Sequence, residues 1–289
     1  MSAVPTMSVV IACRNSASTL AATLEALAEQ KYPGWWEVLI VDNGSTDNTA
    51  ALAERFGDRF PNYTVLCNPN PGYQARAINY GVEHSKGECL AFLDSDDLIG
   101  ADYLLHMGHA LAWASVVAAS VDVALLNQPE VRERRDLLQA DHVETFFGYL
   151  PAVVGGAMGI RRQPLDAVGG WDDSLPTQHD LDVSWRLHRA GHEATFVPEA
   201  VLHYRYRDTP LEIFRQELGY GEGEVALYRK HRQHGLRRKT LPRVLVAYAR
   251  LIIALVDLPR SGGPARFATA LGANLGRLVG SARLRTWYL

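Results

Sequence analysis

Short apolar runs and helically spaced apolar positions take turns along the first hundred residues. Met7-Ser8-Val9-Val10-Ile11-Ala12 is rich in β-branched residues and reads as a buried strand. From Ser16 to Leu27 the leucines Leu20, Leu24 and Leu27 recur at helical spacing, and Pro33-Gly34 stops that helix. Trp36 to Val41 is a second strand, Asn48 to Phe56 a second helix, Tyr63 to Leu66 a third strand and Ala75 to His84 a third helix. The run Cys89-Leu90-Ala91-Phe92-Leu93 then supplies a fourth strand. This alternation predicts an α/β fold: a Rossmann-like, mostly parallel central sheet flanked by helices. Ligands of such sheets bind outside the carboxyl ends of the strands.

Beyond residue 100 the rhythm is harder to read. Ala110 to Leu126 has features of both strand and helix, and Val131 to Asp141 is charged and helical in pattern. Gly155 to Ile160 reads as a strand with small residues that admit another backbone. Pro164 to Val168 fits a short helix with Pro in its first turn, closed by Gly169-Gly170. Asp180 to Ala190 is a further helix, ended by Gly191, and a strand Ala194 to Val197 and an extended run Val201 to Tyr204 follow. We divide the chain into residues 1–210, with a ligand-binding half 1–100 and a second half 101–210, and a helical extension 211–289.

Composition narrows the class only modestly. Hydrophobic residues at 47% and charged residues at 21% give an ordinary globular chain with a sizeable core. A net charge of −3 offers no global field for nucleic acid, so none is expected as a partner. Cys13, Cys67 and Cys89 read as reduced thiols, which favours a cytosolic setting, and no leader-like segment opens the sequence. The C-terminal part differs: seven basic residues and no acid lie between Arg229 and Arg243, ahead of the apolar stretch Val244 to Val256. Arg250 interrupts that stretch, and it is shorter than the roughly 20 residues of a spanning helix. It leaves open a peripheral contact at the inner face of the cell membrane, a homodimer contact, or packing on the main domain.

The candidate chemistry sits where strands end. Leu93 is followed by Asp94-Ser95-Asp96-Asp97. Carboxylates leaving a buried strand suit a hard divalent cation, Mg²⁺ or Mn²⁺, shared with substrate phosphates. The bland alternative is a solvated turn and helix cap. Asp42 leaves its strand at the same rim and is placed to accept from a base N–H or a ribose hydroxyl, while Ser45 or Thr46 is expected to cap the helix that follows. Asp180 and Asp182 open a later helix, where they would complement its dipole and where Asp182 could pair with Arg186. If a hydroxyl must lose its proton, Asp180 is the first choice of base. His203 is either a structural histidine or a metal ligand. Arg205 and Arg207 would hold a diphosphate or face solvent.

Together these residues resemble the family 2 glycosyltransferases, inverting enzymes of the GT-A fold. The matching pieces are Val9 to Asn15, Val41 to Asp47, Phe92 to Asp97, Gly169-Gly170-Trp171-Asp172 and Asp180 to Leu187. The resemblance spans roughly residues 6 to 208. It implies a nucleoside-diphosphate sugar donor, contacted by Ala12, Arg14, Asn15, Asp42, Asn43, Arg76, Asp94, Ser95 and Asp96. It also implies a DxD motif at Asp94-Ser95-Asp96, with Asp96 and in some members His203 on the metal, and Asp94 as a further ligand. Asp180 matches the catalytic base, and the loops from Gly169 to His179 would shape the acceptor site. One departure stands out: His179 occupies the position where the family often has Glu. That change favours the alternative of a non-catalytic, nucleotide-sugar-binding or scaffold relative. The acceptor implied is a hydroxyl of a glycolipid or of a cell-surface polysaccharide intermediate.

Overall fold

The computed structural model describes residues 4–132 and 139–288. In chain order the elements begin with β1 (Met7–Cys13), α1 (Leu20–Ala28), β2 (Trp36–Asp42), α2 (Thr49–Glu54), β3 (Tyr63–Cys67), α3 (Gln74–His84), β4 (Cys89–Asp94), β5 (Leu98–Ile99), α4 (Tyr103–Leu111) and β6 (Val116–Asp122). They continue with α5 (Pro129–Arg132), β7 (Thr145–Phe146), β8 (Leu150–Pro151), β9 (Met158–Arg161), α6 (Arg162–Ala167), α7 (His179–Arg189) and β10 (Ala194–His203). The C-terminal helices are α8 (Pro210–His231), α9 (Leu241–Val256) and α10 (Gly263–Arg283).

Two compact units result. The first comprises residues 1–126, 137–174 and 179–205; the second comprises 127–136, 175–178 and 206–289. The first is built on one eight-stranded sheet in the order β3-β2-β1-β4-β9-β6-β10-β5. Neighbours β3/β2, β2/β1, β1/β4 and β6/β10 run parallel, while β9 is antiparallel to both β4 and β6. The sheet is therefore mixed but mostly parallel, as the alternating pattern predicts. Every residue of β1 and β2 is buried, and Leu20, Leu24 and Leu27 of α1 are fully enclosed. Packing of such amphipathic helices on an apolar sheet is the main source of this unit's stability.

Several boundaries differ from the sequence expectation. Gly155 to Ile160 is not one strand: Gly155–Ala157 forms a 3₁₀ turn and the strand starts at Met158. The two extended pieces around Pro198 form one strand, β10, whose pairing with β6 shifts register between Val197 and Val201. The ambiguous stretch 110–126 resolves into the end of α4, a break at Trp113-Ala114 and the strand β6. Of the charged stretch 131–141, residues 133–138 lie outside the described ones. Gly169 and Gly170 close α6 with φ of +80° and +70°, as read from the sequence.

In the second unit α8 and α10 pack backbone to backbone. A Cβ on Gly276 would run into the carbonyl of Leu218, so only glycine permits that approach. A buried polar cluster pins the pair: Glu224 of α8 accepts from Arg277 of α10, from Lys239 and from the Tyr288 hydroxyl. Among the described residues, no helix is long and apolar enough to cross a membrane.

Candidate active site at the carboxyl edge of the sheet

The parallel register brings three strand exits side by side. Cys13 of β1 lies opposite Asp42 of β2, and Ala12 lies opposite Asp94 of β4. Asp42 is buried and accepts the Ser45 N–H with both oxygens at 3.3 Å. Asn43 is buried next to it. Its Oδ1 accepts from Asn68 and from the Gly72 N–H, and its amide donates to the Gly72 carbonyl. Arg14 and Asn15 are exposed at the end of β1, and Asn15 holds a left-handed φ of 54°.

Ser45 and Thr46 do not cap α2, contrary to expectation. Ser45 Oγ accepts the Asn15 N–H at 2.9 Å, and the Thr46 N–H donates to Asn15 Oδ1 at 2.8 Å. Asp47 bonds the Thr49 N–H at the helix start instead. The polar turn after β2 thus braces the turn after β1, and these bonds from Thr46 hold Asn15, a residue type that adopts positive φ more readily than most, in its left-handed conformation. Ser95 is tied in as well, its hydroxyl 2.7 Å from that of Ser16. Burial pushes the Cys13 thiol far above its ordinary value, so it stays neutral and unreactive.

Asp94 receives the Gln74 amide at 2.7 Å. Its other oxygen lies 3.0 Å from where a Cβ on Gly156 would stand. The neighbouring Gly155 donates its N–H to Asp180 Oδ2 at 3.1 Å, and a Cβ there would meet the Asp180 side chain at 3.3 Å. Consecutive glycines of one turn therefore lie against Asp94 and Asp180. The pairing of Phe92 with Met158 brings that turn to Asp94, and Val153 N–H to Ser184 Oγ docks it on α7. A Cβ at 155 or 156 would crowd the Asp180 or the Asp94 side chain, and this close approach accounts for the glycine pair better than a strand does.

At the other side of the rim the segment Asp96-Asp97 is tied to the end of β10. His203 pairs with Leu98 across β10 and β5. The Arg205 N–H donates to Asp97 Oδ1 at 2.8 Å, and its guanidinium donates to the Asp96 carbonyl at 3.0 Å. For Arg205 that bracing role is neither of the two expected, a diphosphate clamp or a solvent-facing side chain. Arg207 belongs to the second unit and lines a cavity there. His203 Nδ1 lies 2.7 Å from Asp122 Oδ2. Burial acts to raise the Asp122 carboxyl, but bonds from His203 and from the Ala124 and Leu125 N–H groups outweigh it and hold it below its usual value. A carboxylate there requires Nδ1 to donate, and in the neutral imidazole this leaves the Nε2 lone pair for a ligand. Asp122 was not singled out in the sequence; the only signal was its place at the end of an apolar run.

Among the described residues, no three His, Cys, Asp or Glu side chains are gathered to cage a metal. Asp96 with an imidazole braced by Asp122 offers two donors, a set suited to a cation completed by phosphate oxygens and water.

At the start of α7, Asp182 is fully enclosed and paired with Arg186 at 2.7 Å, as its spacing predicts. Arg186 also donates to the carbonyls of Val168 and Gly170. Trp185 is fully buried in the core. His179 is buried edge-on against Trp171, with ring centroids 5.3 Å apart. Its Nδ1 has no hydrogen-bond partner among the described residues, and burial pulls its pKa down against the raising influence of Asp180 and Asp182. Arg76 is engaged with Asp173 at 3.0 Å, both side chains being partly exposed.

Comparison with known proteins identifies the family and the fold. The β-monoglucosyldiacylglycerol synthase of Nostoc sp. is 28% identical over 194 residues, covering 64% of this chain and 41% of that protein. The glycosyltransferase AglE of Haloferax volcanii is 25% identical over 89% of this chain and 84% of its own length. The succinoglycan biosynthesis protein ExoA of Rhizobium meliloti is 29% identical over 81% and 73% respectively. Among solved structures, the mannosyltransferase PcManGT from Pyrobaculum calidifontis, in complex with GDP-Man and Mn²⁺, superposes with a TM-score of 0.67 at 17% identity, over 96% of this chain and 88% of that one. This likeness establishes a GT-A-type fold. The family model "Glycosyl transferase family 2" matches residues 8–169, more than half of the chain, and the protein is therefore a member of the family 2 glycosyltransferases.

Proposed function

We propose that this protein transfers a sugar, with inversion, from a nucleoside-diphosphate sugar to an acceptor hydroxyl, with Asp180 as the base. The observation that carries the reading is the shared turn: Gly155 and Gly156 lie against Asp180 and Asp94, so a base candidate and the DxD motif border the same space. Asp42 and Asn43, with Ala12, Arg14 and Asn15, form the donor's nucleoside end of the rim. Asp94 and Ser95 face the ribose and sugar, and Arg76 reaches the donor after exchanging Asp173. Asp96 and His203, with Asp94 nearby, would hold Mg²⁺ or Mn²⁺. Bound there, the cation supplies positive charge to the departing diphosphate.

The residues themselves do the rest. Asp180 accepts the proton of the attacking hydroxyl, its carboxylate held by the Gly155 N–H on Oδ2 and the Leu181 N–H on Oδ1. Asp122 holds the His203 ring and its tautomer. His179 is neutral in its apolar seat, so it adds no charge beside Asp180. The relatives act in glycolipid and polysaccharide synthesis by their names, which supports an acceptor of either kind.

Replacing Asp180 by Asn tests the reading. Transfer should fall by about 10²–10⁴-fold while donor binding persists, and the anomeric configuration of wild-type product, read by NMR, should be opposite to that of the donor. Undiminished transfer by Asp180→Asn would favour a different base, and absence of any transfer by the wild type across donors would favour the non-catalytic alternative.

A further inference from the structure

α9 is an apolar helix turned outward. Leu241, Leu245, Ala249, Ile252 and Val256 share one face by their spacing, and all five are exposed. Val246 and Ile253 widen that face, and Ile252 and Val256 expose 64% and 69% of their surface. Of the whole helix only Ala254 is buried. Arg243 and Arg250, one heptad apart and both exposed, run along one edge of the apolar face. Uncovered apolar area of this extent on one element marks an interaction surface.

Charge decides what covers it. Residues 229–289 contain thirteen Lys and Arg and a single acid, Asp257, while the preceding 228 residues contain sixteen basic and thirty-one acidic residues. Asp257 is itself paired with Arg260 and Arg266. A second copy placed on this face would oppose two strongly basic segments, which costs affinity. An anionic surface that is apolar just beneath matches both features at once. With 16 residues and no acid, α9 is about 24 Å long by its rise, too short to span but suited to lie flat.

We propose that the C-terminal helical unit docks on an anionic lipid bilayer, with the outer face of α9 among the acyl chains and its arginines on lipid phosphates. This goes beyond the reaction and does not depend on it. The test is co-sedimentation of the full chain with vesicles of phosphatidylcholine alone and of phosphatidylcholine mixed with phosphatidylglycerol. The chain should pellet with the mixed vesicles, less so as salt is raised, and stay in solution with phosphatidylcholine. The double variant Ile252→Glu/Val256→Glu should lose binding with its far-ultraviolet dichroism unchanged. Arg243→Gln/Arg250→Gln should weaken partitioning roughly thirtyfold, from about fivefold per cation. The proposal is overturned by no binding to mixed vesicles, by equal binding to both vesicle types, or by arginine variants that bind as the wild type does. It is equally overturned if sedimentation velocity shows a dimer that Ile252→Glu/Val256→Glu splits and no vesicle binding accompanies it.

Discussion

β1 and α9 are comparably apolar, and the fold uses them in opposite ways. All seven residues of β1 are buried between β2 and β4, whereas α9 buries one alanine and exposes its largest aliphatic side chains. The difference lies in how many faces each element can satisfy. An interior strand is covered on both faces and both edges, so its exit is the one place where polar groups can gather, and Asp42 and Asp94 stand there. A helix covered on one narrow stripe keeps the rest of its apolar surface for something outside its unit. Hydropathy alone does not separate the two cases; the partners around each element do.

The sharpest way to probe the contrast is to damage the enclosed side. Asp182 is fully buried against Arg186, so Asp182→Ala leaves an uncompensated cation and should lower unfolding free energy by about 3–5 kcal/mol, measured by urea denaturation. Asp122→Asn comes next. Without the carboxylate that orients His203, the Mn²⁺ concentration needed for half-maximal transfer should rise about 10–100-fold, with little change in melting temperature.

A smaller effect belongs to His179. Burial keeps its folded-state pKa below the ordinary histidine value of about 6.5. The unfolded chain therefore takes up this proton at higher pH than the folded one. Stability is fully present above that ordinary value and declines as pH falls through and below it. His179→Gln should flatten this acid-side loss in urea titrations between about pH 7 and pH 5; an unchanged slope would mean that the imidazole is not the responsible group. Smallest of all, Leu245→Ala on the outer face of α9 should change stability by no more than about 0.5 kcal/mol. A core-sized loss there would show that the face is covered within the protein.

Much of the catalytic unit was legible in the sequence because its signals are local. Apolar runs of strand length ending in Asp42 and Asp94, the leucine spacing of α1, and the i,i+4 spacing of Asp182 and Arg186 each lie within a few residues. What escaped depends on distant partners. Asp122 matters through His203, 81 residues away. Gly155-Gly156 resembled a strand until the two carboxylates against them supplied the reason for a turn. Ser45 and Thr46 carry cap-forming hydroxyls, but a loop 30 residues earlier claims them. Arg205 could not be assigned from its type, since its guanidinium serves a backbone carbonyl.

The central claim is that the carboxyl edge of this sheet receives a nucleoside diphosphate through Asp42 at one end and Asp96 with a cation at the other. Thermal-shift titration of the purified chain with the common nucleoside diphosphates, each with and without Mn²⁺, tests it most directly. The account predicts that at least one nucleotide raises the melting temperature, that Mn²⁺ enlarges the shift, and that Asp96→Asn removes the Mn²⁺ increment while Asp42→Asn removes the nucleotide's own. No stabilisation by any nucleotide, with or without the metal, would contradict it.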